Sequence, residues 1–338
     1  MSESIDPALE PLLSLQAVVI FPVGSLSAMF FVYGFYVMLF VVALNLLLCP
    51  TFERPNRRLY LAWTIILFIM TTFSNIIVAW AYIRQAIIDF VAAKTREYDA
   101  FLSYLEGDTL SNVHGTIMNI MPVLINVTAD SMLIHRCYLI WGSKKRIGIP
   151  LVLIAFATNS LGLVSVIMVT VGIGGDSTKE SVWKLLDLGD AIYVRYLIAN
   201  AVVNSLVTLL TAGRIWWVGR QAMKVVGKQY RTIIAILLES GMLYPIAIIV
   251  PLILGPSGTD VSPVNLFPIT YQVAGIAPTL IIVRAQSGKA IESVDQVVST
   301  LRYTGSGGES SRIRNASRLP HSINFGFESH KTSDAESQ

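Results

Sequence analysis

Two cysteines and four histidines in 338 residues leave little material for a disulfide framework or a metal cluster. Cys49 and Cys137 both sit at ends of apolar stretches expected to face the reducing cytoplasm, so no outer disulfide is available. His114 and His135 are the histidines near such stretches, and they fall at opposite ends of one of them, too far apart to share a metal ion. Charge is also scarce: charged residues make up 14% of the chain against 54% hydrophobic, a balance foreign to a soluble domain of this length. The formal net charge of +3 is spread over short connectors and not gathered in a patch, so no nucleic-acid partner is expected. No phosphate loop, nucleotide fingerprint or nucleophile motif occurs, so neither an enzymatic activity nor a cofactor is expected. Met1 to Leu13 has acids where a signal peptide needs a basic segment, so the first apolar stretch is expected to act as its own insertion signal.

What the chain has in abundance is long apolar runs. Seven stretches can each hold the roughly 20 apolar residues a membrane helix needs: Ser25 to Leu48, Leu59 to Ile83, Ile117 to Trp141, Ile149 to Gly172, Ala191 to Val218, Thr232 to Leu254 and Val264 to Val283. The expected fold is all-α, a polytopic membrane protein built as a seven-transmembrane helix bundle in the lipid bilayer. Four regions follow: an outer N-terminal segment (1–24), the bundle (25–284), an amphipathic juxtamembrane helix (285–304) and a disordered cytoplasmic tail (305–338).

The basic residues orient the bundle. Of the 25 Lys and Arg, only Arg84, Lys94, Arg96, Lys179, Lys184 and Arg195 fall on one side. The rest share the other side, which marks it as cytoplasmic. The N-terminus is therefore expected outside and the C-terminus inside, with the plasma membrane as the expected location. The inner connector Gly219 to Arg231 is read as a basic loop whose Arg220, Lys224, Lys228 and Arg231 either face a cytoplasmic partner or simply control topology.

Two outer connectors are long. Arg84 to Val113 mixes Tyr98, Phe101, Leu102, Tyr104 and Leu105 with acids, and part of it is expected to form a short amphipathic helix. Gly174 to Asp190 either folds over the bundle mouth as a lid or is anchored at the interface by Trp183. Beyond the last span, Ile291, Val294, Val298 and Leu301 recur at helical spacing, which predicts a surface helix over Ala290 to Arg302. From Gly305 onward large hydrophobes are few, so the segment cannot bury enough to offset the cost of ordering.

Polar residues inside the spans carry the functional information, because they are costly in lipid. In the third span Asn119, Asn126, Asp130 and Cys137 are separated by intervals that keep them on one helix face. The fifth repeats the theme with Asn200, Asn204, Thr208 and Thr211; the sixth carries Glu239, Ser240 and Tyr244, and the seventh Thr270, Tyr271 and Gln272. Asn119, Asn126, Asp130, Asn200 and Asn204 are read as lining a ligand cavity or relay, or alternatively as interhelical hydrogen-bonding groups. At about 1.5 Å per residue Glu239 lies about 12 Å and Arg136 about 7 Å from the inner interface. Arg136 can therefore reach Glu239 as a switch pair or snorkel to the headgroups. Pro122, Pro245, Pro251 and Pro278 predict bends in the third, sixth and seventh spans.

These features resemble the architecture of G-protein-coupled receptors: seven spans, N-terminus out, short basic inner connectors and a surface helix after the last span. More specifically, Asp130-Ser131 followed by His135-Arg136-Cys137-Tyr138 and Trp141, Glu239-Ser240-Gly241 with Tyr244, and Ala277-Pro278-Thr279-Leu280 leading to Arg284 are similar to an uncharacterised seven-transmembrane family of mushroom-forming, basidiomycete fungi. That resemblance implies a fungal membrane protein and supports the fold more than an activity.

A retinal pigment is excluded, because Val264 to Val283 contains no lysine for a Schiff base. Two functions fit the rest. One is a receptor sensing a small-molecule or peptide ligand from outside and signalling, through movement of the third and sixth spans, to a G protein or other cytoplasmic partner. The other is a transporter or proton-coupled carrier with Asp130 and Glu239 as relay carboxyls. A structural membrane role is the third reading.

Overall fold

A computed structural model describes residues 14–48, 56–95, 99–106, 109–175, 179–221, 223–254 and 264–284, with the backbone alone at 100, 105, 106, 219, 221, 223–233 and 236. The chain divides into two units, Met1–Ser287 and Gly288–Gln338, and every described residue belongs to the first. The expected juxtamembrane helix, the tail and residues 1–13 of the outer N-terminal segment lie outside the described residues, while from Gln16 that segment is already helical.

The described residues are helical apart from a few at the helix ends and connections, with no strand among them. In chain order the helices are α1 (Phe21–Leu48, preceded by a π turn, Gln16–Ile20), α2 (Arg57–Thr95), α3 (Asp99–Glu106), α4 (Thr109–Ile140), α5 (Lys145–Ile173), α6 (Glu180–Gln221), α7 (Met223–Leu254) and α8 (Phe267–Arg284). All but α3 provide a segment long and apolar enough to cross a membrane, seven among the described residues. They correspond in order to the seven apolar stretches.

Several helices run past the apolar stretches that predict them. α2 continues to Thr95 and α6 starts at Glu180, so much of both long outer connectors is helical. Inside the first of them, α3 supplies the short helix expected there, with Phe101 buried and Leu102 exposed. The basic loop expected from Gly219 to Arg231 is corrected as well. α6 extends to Gln221 and α7 begins at Met223. The physical reason is that apolar runs end where lipid ends, whereas Lys, Arg, Gln and Met are good helix formers in water.

The surface pattern is that of a membrane protein. Phe30, Phe31, Phe35 and Met38 of α1 and Val152, Leu153, Phe156 and Ile167 of α5 are exposed, while Thr64, Thr71, Asn75, Asn126, Asp130, Asn159, Asn200 and Asn204 are buried. Apolar groups face outward to a hydrocarbon solvent, and polar groups face inward to each other. A central apolar cluster, including Leu47, Leu67, Val123, Val166, Leu197, Ile248 and Ala277, packs residues of α1, α2, α4, α5, α6, α7 and α8 together.

Local chemistry ends and joins the helices. α4 stops where Gly142 adopts a left-handed φ of 69°. The Ser143 N–H donates to Tyr138 O and the Gly142 N–H to Leu139 O, both at 3.0 Å. This pair of bonds satisfies carbonyls that the helix end would otherwise leave open. Arg57 Nε and Nη2 donate to the Leu47 and Leu48 carbonyls, placing a cation at the negative end of the α1 dipole.

Candidate functional site: a buried polar network

The amide stripes of α4 and α6 meet. Asp130 of α4 accepts hydrogen bonds from Asn159 Nδ2 of α5 at 3.0 Å and Asn204 Nδ2 of α6 at 3.2 Å. Asn204 Nδ2 also donates to Asn200 Oδ1 at 3.0 Å. Asn200 Nδ2 donates to Tyr244 Oη of α7 at 2.8 Å, and the Tyr244 hydroxyl donates to Asn126 Oδ1 of α4 at 2.6 Å. Asn126 Nδ2 then donates to Tyr196 Oη of α6 at 2.8 Å. A continuous chain of hydrogen bonds thus runs Asn159–Asp130–Asn204–Asn200–Tyr244–Asn126–Tyr196 and ties α4, α5, α6 and α7.

All seven residues are buried, Asp130 at 4% and Asn200 at 0% exposure. Burial makes each bond electrostatically stronger and makes the loss of one partner expensive. The Asp130 carboxylate is held by neutral amides from two helices, which satisfies both oxygens without supplying a countercharge.

Close backbone approach lets the chain form. A Cβ on Gly162 of α5 would sit 2.9 Å from Tyr196 Cε2, so only glycine leaves room for the ring that reaches Asn126. Likewise a Cβ on Gly241 of α7 would collide with the Thr208 side chain of α6, which draws Tyr244, one turn on, against Asn200.

A second polar contact joins α8 to α1 and α2. Gln272 Nε2 donates to Asn75 Oδ1 at 2.9 Å and to Met29 O at 3.1 Å. The Tyr193 and Tyr271 hydroxyls meet at 3.1 Å, linking α6 to α8.

Of the predicted residues, Asn126, Asp130, Asn200 and Asn204 come together in the network. Asn119 is half-buried, about two turns along α4, and takes no part in it. Glu239 forms its ion pair with Arg284 of α8 at 2.7 Å, its side chain 67% exposed. Arg284 also donates to Ser240 Oγ at 3.4 Å. α8 thus supplies an ion-pair partner to Glu239, because the last span ends with the Arg284 guanidinium at the same level. Arg220 is exposed and lies over the Trp216 ring at 5.5 Å, while Lys224, Lys228 and Arg231 occupy the first turns of α7.

Three network or neighbouring residues escape the sequence reading: Asn159, Tyr196 and Tyr193. A signal existed for two. Tyr196, Asn200, Asn204 and Thr208 recur at intervals of four on α6, and Asn159 is an amide in an otherwise largely apolar span. Near the inner ends, the Tyr60 hydroxyl meets His135 Nδ1 at 3.3 Å, with the Trp63 ring edge-on to the imidazole at 5.2 Å.

No protein-family model, curated protein or solved structure matches this chain.

Proposed function

We propose that this seven-span membrane protein is a receptor, oriented with its N-terminus outside, in which an external small molecule or peptide biases α4 against α7 and a cytoplasmic partner reads the change. The observation that carries this reading is the Tyr244–Asn126 bond. Tyr244 directly precedes Pro245, where α7 lacks a backbone donor and bends most easily. Pivoting of α7 at that proline pulls on the Tyr244 hydroxyl, and through it on both Asn126 and Asn200. The element is therefore two-state in character: the chain of bonds is either closed or broken. A G protein is the partner class favoured by the basic residues Arg220 at the end of α6 and Lys224, Lys228 and Arg231 at the start of α7.

The test is retention of a fungal G-protein α subunit by the full chain in nanodiscs. Retention lost with a GTP analogue, lost in a Lys224→Glu, Lys228→Glu variant and altered in Tyr244→Phe supports the receptor. Nucleotide-independent retention, or none with or without candidate ligands, sinks it.

One observation favours a proton-coupled carrier as the second reading: Asp130 is held by neutral groups, so it can gain or lose a proton without breaking an ion pair. Under that reading Asp130→Asn abolishes pH-dependent solute flux in proteoliposomes, whereas the receptor reading leaves no such flux to abolish.

A further inference from the structure

Three prolines of α7 and α8 each remove the N–H that would serve the carbonyl four residues earlier. Pro251 removes the helical partner of Ala247, and the structure supplies a substitute: Thr270 Oγ1 of α8 donates to Ala247 O at 2.8 Å. Pro245 does the same to Gly241 and Pro278 to Ala274. Gly241 and Ala274 are on different helices, yet both line one small cavity, ≈ 10 Å³, together with Asn204, Tyr244, Ala277 and Pro278.

The side-chain polar groups of the lining residues have acceptors left to offer. Asn204 Nδ2 is committed to Asp130 and Asn200, so the amide atom left for the cavity is Oδ1. The Tyr244 proton is committed to Asn126, so Tyr244 Oη has only a lone pair to offer. Gly241 and Ala274, whose carbonyls lose their helical donors to Pro245 and Pro278, are also among the lining residues. An occupant must therefore donate. The volume admits about one water, and membrane helices characteristically use ordered water to satisfy carbonyls released by proline. A bare cation is disfavoured, because no charged side chain lines the cavity and neutral oxygens alone do not offset the desolvation of an ion.

We propose that this cavity is a binding site for a single water molecule, which donates to the proline-released carbonyls of Gly241 and Ala274 and so bridges α7 and α8 beside Asn204 and Tyr244. The water joins the two bends to the hydrogen-bond chain that includes Asp130. Small residues at 274 and 277 are what leave room for it.

Radiolytic hydroxyl-radical labelling tests the site, since radicals made from a bound water oxidise the adjacent ring even where bulk radicals do not reach. The full chain in nanodiscs is pulsed with X-rays and read by mass spectrometry, with Tyr196 and Tyr82 as controls; these are 0% and 6% exposed against 5% for Tyr244. The expected result is Tyr244 oxidation several-fold faster than both, unchanged when sodium chloride is replaced by choline chloride. Ala277→Val, which fills the cavity, brings Tyr244 down to the Tyr196 rate while leaving Tyr196 unchanged. Labelling of Tyr244 no faster than Tyr196 overturns the proposal, as does a rate that sodium suppresses, which marks an ion in the site. The wild-type comparison stands on its own if Ala277→Val does not fold.

Discussion

Tyr244 and Tyr196 are both phenols in the same network, but they hold different numbers of partners. Tyr244 donates to Asn126 and accepts from Asn200, whereas Tyr196 accepts from Asn126. With side-chain bonds in membranes averaging about 0.6 kcal/mol and reaching about 1.7, Tyr244→Phe is expected to destabilise by about 1–3 kcal/mol, and Tyr196→Phe by less. Reversible unfolding in mixed micelles measures both, and an inverted order refutes the assigned bonding. Gly162→Ala places its methyl against the Tyr196 ring and is expected to cost about 1–3 kcal/mol. Gly213→Ala, with nothing within 4 Å of the new Cβ, is expected to stabilise by about 0.5–1 kcal/mol. Equal effects at the two glycines would show that Tyr196 moves aside freely. At this scale the amides of α4 and α6 are legible from spacing on one helix, whereas Tyr196, though in register with Asn200 and Asn204, reads equally well as an interface anchor.

At the scale of elements, the prolines create needs that neighbouring helices fill. Thr270→Val leaves the Ala247 carbonyl without a donor and is expected to cost about 1–3 kcal/mol. In a Pro251→Ala background the helix regains its own N–H for that carbonyl, so the same change is expected to cost little. The double-mutant cycle reports the difference as coupling, and additive effects would place the stabilising role of Thr270 elsewhere. The positions of the bends can be read from the sequence, because proline chemistry is local. Which neighbour fills each gap cannot, because that depends on how α7 and α8 are rotated about their own axes. The helix limits show the same division: hydropathy marks the lipid-thick portion of α2 and α6, while the polar turns beyond it are helical for reasons of backbone propensity that hydropathy does not register.

At the scale of the whole molecule, the asymmetry of Lys and Arg is the only orientation signal, and it acts through loops and ends instead of the packed interior. A Ser2→Cys variant is expected to react with an impermeant maleimide on intact cells, and a Ser337→Cys variant only after permeabilisation, in a background with Cys49 and Cys137 replaced by serine. The opposite labelling reverses the topology and moves the basic end of α6 and start of α7 outside. α6, at 42 residues, is a rod about 63 Å long, roughly twice the hydrocarbon thickness of about 30 Å. Asn200 and Asn204, which hold it to Asp130 and Tyr244, lie close to its midpoint. A rod gripped at its centre has a fulcrum there and two arms of about 30 Å, so rocking by about 10° swings each tip by about 5 Å in opposite directions. Under the receptor function proposed above, the polar network gears a small change in hydrogen-bond length to a displacement of that size at the two tips of α6.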